Sequence, residues 1–98
     1  MYCILKGKKP VAVSDVLEWA KWFETAERHV ANHHIGEIYI STVFLGLDHN
    51  YNGGEPLLFE TMIFGGEHNQ YQERYSTYKE ALEGHKKALK LVKSSLDK

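Results

Sequence analysis

Residues 37–66 read EIYISTVFLGLDHNYNGGEPLLFETMIFGG, and their pattern decides the fold. Two apolar runs, 38–47 and 57–64, flank a connection rich in Asn and Gly. That is the signature of a strand, a turn and a strand. Alternation divides the first run into Ile38, Ile40, Thr42 and Phe44 on one face and Tyr39, Ser41, Val43, Leu45 and Leu47 on the other. Both faces are largely apolar, as expected of an interior strand covered on two sides. A helix layer can supply one cover and a second subunit the other. In the second run, Glu60 stands among Leu58, Met62 and Phe64 on its own face. A carboxylate there needs a partner or a raised pKa.

Toward the N-terminus, residues 2–5 are β-prone, 6–9 (KGKK) form a turn, and 10–13 are a second short run. Pro10 places that run at a sheet edge. Ser14 and Asp15 open a helix, with Asp15 and Glu18 as a capping pair. Val16, Trp19, Ala20, Phe23, Ala26 and Val30 recur at helical spacing, which predicts a helix ending near Asn32–His34, before Gly36. Toward the C-terminus, 65–74 reads as a polar loop. Ser76 or Thr77 then caps a last helix, with Thr77 and Glu80 as the better capping box. Its apolar stripe is Tyr78, Ala81, Leu82, His85, Leu89, Val92 and Leu96. Gly84 inside that helix predicts close packing, because glycine there costs about 1 kcal/mol relative to alanine. The residues after Val92 are polar enough to predict fraying.

The element order predicts an α+β fold, ββαββα: an antiparallel four-stranded sheet with two helices packed on it, in one domain spanning 1–98. At 98 residues, 43% apolar and 26% charged, the composition is that of an ordinary small globular domain. A formal charge of −1 supplies no general pull toward nucleic acid or membranes. The single cysteine, Cys3, offers no disulfide framework and fits a reducing compartment. The first residues lack the form of a signal peptide, and no apolar run approaches the ~20 residues that span a bilayer. The expected location is cytoplasmic.

Several constellations bear on function. Glu60 and His85 form a candidate acid–base or ligand-gripping pair, since the last helix must pack on the sheet. His29 and His33, four apart on the predicted helix, share a face as a zinc site needs, but no third ligand is close in sequence. Residues 48–53, DHNYNG, match the first half of a calcium loop. The twelfth position is Phe59 where the loop needs glutamate, so no cation is expected. That connection still offers His49 and Tyr51 on a loop held by strands, a common setting for binding. Arg74, with Ser76 and Thr77 at a helix N-terminus, forms a candidate anion site for phosphate or carboxylate. No nucleophile elbow, P-loop, glycine-rich dinucleotide motif, HExxH or cysteine pair is present. The sequence therefore leans away from an enzyme and implies no cofactor.

STVFLGLDHN (41–50), LLFETMIFGG (57–66) and RYSTYKEALEGH (74–85) together resemble a family of small phage and prophage proteins of unknown mechanism. The resemblance covers most of the chain from Asp15 to His85. It assigns no residue a role. It implies a small accessory protein, of the kind that counters host defence by occupying a protein or sequestering a nucleotide signal. The expectation is a non-catalytic binding protein whose partner is a host protein or a phosphorylated small molecule. Self-association into a homodimer or larger homo-oligomer is also expected. The alternatives are a small hydrolase or lyase using Glu60 and His85, and a purely structural or protein-interaction module.

Overall fold

A computed structural model describes residues 1–50 and 52–97; Tyr51 and its expected place in the loop lie outside them. Strands β1 (Tyr2–Lys6) and β2 (Lys9–Val13) form a two-stranded antiparallel hairpin. The hairpin turns at Gly7, whose φ of +62° suits a tight connection. Helix α1 (Val16–Thr25) follows, capped by the Asp15 side chain, which accepts from the Leu17 N–H at 2.9 Å. Strands β3 (His29–Ile35), β4 (Ile38–Phe44), β5 (Phe59–Phe64) and β6 (Gln72–Tyr75) form a four-stranded antiparallel sheet in that order. Helix α2 (Tyr78–Leu96) closes the described chain, with the predicted Thr77–Glu80 capping box in place. It runs past Val92, beyond where its polar composition predicts fraying.

The α+β class, the central β4–β5 pair and the four-stranded antiparallel sheet are as expected. The source of the strands differs. The first hairpin is a sheet of its own, and β3 and β6 complete the main one. The predicted first helix is therefore too long. It stops at Thr25, and residues 29–35 (HVANHHI) are extended. Ala26 and Val30 extend the helical spacing of α1, but Val, His and Asn are poor helix formers. The free edge of β4 meanwhile offers a row of backbone donors and acceptors that need partners. A two-residue Gly36–Glu37 turn, with Gly36 at φ +59°, folds 29–35 back onto that edge. The ladder continues past the strand, where Phe44 N–H donates to Arg28 O at 2.8 Å.

Helix α2 lies on one face of this sheet. Under it are Ile38, Ile40, Thr42 and Phe44 of β4, Phe59, Thr61 and Ile63 of β5, and Tyr75 of β6, all buried. The helix meets them with Ala81, Gly84, His85, Ala88 and Val92. Full burial of a side chain such as Phe44 or Phe59 stabilises by about 1.5–3 kcal/mol. The close packing expected at Gly84 is real: a Cβ there would lie 2.0 Å from the Tyr75 hydroxyl oxygen. Glycine is required at this position for space, which offsets its poor helix propensity.

Helix α1 packs on the first hairpin and buries no residue fully. Trp19 ties it to β1 and to the connection after β4, its indole N–H shared between Cys3 O at 3.0 Å and Gly46 O at 3.1 Å. Trp22 meets the Phe44 ring edge-on, with centroids 5.8 Å apart. No helix among the described residues is long and apolar enough to cross a membrane.

Candidate functional site

The two faces of the main sheet place the candidate residues apart. Thr61 faces α2, so Glu60, one residue earlier on β5, points the other way. His85 lies on the sheet-facing side of α2 and Glu60 on the open face, so the expected Glu60–His85 pair does not form. Glu60 is instead satisfied by its cross-strand neighbour. Arg74 Nε donates to Glu60 Oε2 at 2.9 Å, and the Gln72 amide donates to the same oxygen. The Glu60 side chain is 12% exposed and that of Arg74 34%, so the pair is partly screened by water.

His85 belongs to a buried polar row that the sequence pattern conceals. His85 Nδ1 is 2.7 Å from Thr42 Oγ1, which is 2.5 Å from Thr61 Oγ1. His85 Nε2 is 2.8 Å from His33 Nδ1. One donor order satisfies the row: Thr61 donates to Thr42, Thr42 to His85 Nδ1, and His85 Nε2–H to His33 Nδ1. The reverse order satisfies it equally, with His33 donating inward. Thr42, Thr61 and His85 are buried, whereas His33 reaches solvent. Burial, and secondarily the His33 ring, lower the His85 pKa, so its imidazole is neutral at neutral pH. The Tyr75 hydroxyl is also buried on this face, against Gly84, and is the one buried side-chain polar atom among the described residues without a hydrogen bond. Burial raises its pKa.

A hydroxyl beside an imidazole is the arrangement that activates a nucleophile. Here it has no access. Thr42 is fully buried beneath α2, and its oxygen already makes two hydrogen bonds. The row ties β3, β4, β5 and α2 together.

The joining of His33, Thr42 and Thr61 with His85 in one row was not foreseen from the sequence. The threonines left a signal, since both stand in phase with the apolar residues that face a helix: Ile40 and Phe44, and Phe59 and Ile63. A polar residue in an apolar phase calls for a buried partner. His33 left none, because it was placed on a helix. In the strand, His33 faces α2, whereas His29 lies opposite Val43 on the open face and pairs with Glu27 at 2.9 Å. The expected sharing of a face by His29 and His33 is therefore absent. Among the described residues, no group of three His, Cys, Asp or Glu side chains is placed to hold a metal ion.

The remaining candidates lie near the β6–α2 junction and the 45–58 connection. Asp48 Oδ1 accepts from the Asn50 and Leu57 N–H groups at 2.8 and 2.9 Å, which lowers its pKa and braces the loop. His49 N–H donates to Leu57 O at 3.0 Å. Leu57 lines an open depression of about 370 Å³ with Gln72, Glu73 and Arg74. Ser76 precedes the cap, and the Thr77 N–H and hydroxyl both donate to Glu80 Oε1 at 3.1 Å. The expected anion site is thus supplied from within. Glu80 occupies the helix start, Glu60 takes Arg74, and Glu73 adds negative charge to the depression.

The open face has its own order. His34, Tyr39 and Phe64 are cross-strand neighbours on β3, β4 and β5. Their rings form a stacked row, with centroids 4.5 Å apart for His34–Tyr39 and 6.1 Å for Tyr39–Phe64. Met62, opposite Ser41, and Val43, opposite Glu60, share this face, and Phe64 is 43% exposed. No family model, curated protein or solved structure matches the chain.

Proposed function

We propose that the chain is a small accessory protein of the phage type that acts, without catalysis, by occupying another protein through the open face of its main sheet. The observation that supports this reading is the row His34–Tyr39–Phe64 with Val43 and Met62, an apolar surface on a rigid sheet whose other face is sealed by α2. Rigid aromatic side chains lose little conformational freedom on binding and are common anchors at interfaces. A host defence protein is the partner the sequence resemblance suggests. A nucleotide signal is the less favoured ligand, because Arg74 is engaged by Glu60 and the depression beside it carries Glu73.

Affinity capture from a bacterial lysate, run beside thermal-shift measurements with cyclic and linear nucleotides, tests the reading. Stoichiometric capture of one host protein, lost in Phe64→Asp, is the expected result. A nucleotide at 100 times its dissociation constant would stabilise the fold by about 2.7 kcal/mol. Such a shift without protein capture would replace the proposal with ligand sequestration. A homodimer that buries Phe64 and dissociates in Phe64→Asp, with no host protein captured, would replace it with self-association.

A further inference from the structure

We propose that the His33–His85 contact is an acid-sensitive latch that fastens edge strand β3 to helix α2. β3 has one neighbour in the sheet, and none of its residues is fully buried. Its backbone ladder with β4 is broken by an irregularity between His29 and Ala31. Ile35 packs against the cluster that includes Ala88 and Val92, and the side-chain hydrogen bond from β3 to α2 is the 2.8 Å contact between His33 Nδ1 and His85 Nε2.

Two imidazoles that share one hydrogen bond tolerate one added proton and not two. In the neutral pair one nitrogen donates and the other accepts. With one added proton the pair keeps its hydrogen bond when His33 donates inward from Nδ1. His85 accepts at Nε2 and donates from Nδ1 to Thr42, whose hydroxyl turns to Thr61. The row reverses and stays bonded. A second proton puts an N–H on both facing nitrogens and two like charges in contact. The hydrogen bond is then lost, and β3 is pushed from α2.

The surroundings do not relieve that second charge. On the faces turned to α2, β4 and β5 present Thr42 and Thr61 and no ionisable side chain. β6 presents Tyr75 and Glu73, and Glu73 is taken by the Tyr71 hydroxyl at 2.6 Å and by Lys87 Nζ at 3.8 Å. α2 itself carries Glu83, Lys86 and Lys87 on exposed positions beside His85. The sign follows from burial. Because the His85 pKa is lower in the folded chain than the ordinary ~6.5 of an unfolded one, stability is complete above that value. It falls as the pH drops from there through the folded pKa.

The test is an NMR titration of the full chain from pH 8 to 4.5. Histidine ring resonances are followed alongside amide exchange in β3 and β5, each corrected for intrinsic pH dependence. As His85 takes its proton, β3 amides should exchange about tenfold faster or more, the scale of one lost charge-assisted hydrogen bond. β5 amides should hold. His33→Gln changes an exposed residue, removes the second imidazole and should abolish the β3 step. The latch is refuted if His85 titrates with no change in β3, or if β3 loosens to the same extent in His33→Gln.

Discussion

Beneath α2, Thr42, Thr61 and His85 are bonded to one another and shut away from water, whereas one residue out of phase on the same strands, Tyr39, Val43, Met62 and Phe64 look outward from a face that no helix covers. A β-strand places neighbouring residues on opposite faces, so the two surfaces share a backbone and differ in everything else. Chemistry needs a polar group with unused bonding capacity and a route for substrate. The covered face has polar groups whose capacity is mostly spent on each other. Recognition of a partner needs ordered surface with no cover, and the open face has that. The difference assigns the covered face to stability and makes the open one the surface on which the proposed binding rests.

Substitutions can break this contrast in order of size. Gly84→Ala drives a methyl into the Tyr75 hydroxyl, 2.0 Å away. It should cost about 3 kcal/mol despite the better helix propensity, the upper range for overpacking, read as a lowered midpoint in chemical denaturation. Thr42→Val keeps the shape and removes the oxygen that serves both Thr61 and His85. Two buried groups lose a partner, and a loss of about 2 kcal/mol is expected in the same assay. On the open face the costs shrink. Glu60→Gln removes the charge from a partly exposed pair and should lower stability by about 1 kcal/mol or less, with salt narrowing the difference. Phe64→Asp changes a residue that is 43% exposed and should move the midpoint least, by about 0.5 kcal/mol or less. A large loss from either open-face change would mean that this face is part of the core.

Much of this contrast was legible in the chain itself. The alternation of 38–47 located β4 and both its faces. The Thr77–Glu80 pair marked the start of α2, and Gly84 marked its closest approach to the sheet. Residues 29–35 were not legible, because their three histidines carry no strong preference and Val30 continues the spacing of α1. Only the pairing with β4, a tertiary fact, makes them a strand. That error paired His33 with His29 and hid the buried row. That Glu60 needs a partner was legible, but which partner was not. Its apolar neighbours suggested burial, but its cross-strand partner Arg74 lies fourteen residues away, and register between strands is not written in either strand alone.

The division of labour between the faces can be measured in one experiment, affinity capture with matched amounts of wild-type chain, Phe64→Asp and Thr42→Val. Phe64→Asp should stay as stable as wild type and lose the partner. Thr42→Val, though less stable, should keep the partner at any temperature where it is folded. Retained capture by Phe64→Asp, with loss of capture by folded Thr42→Val, would contradict that division and move the binding site to the face beneath α2.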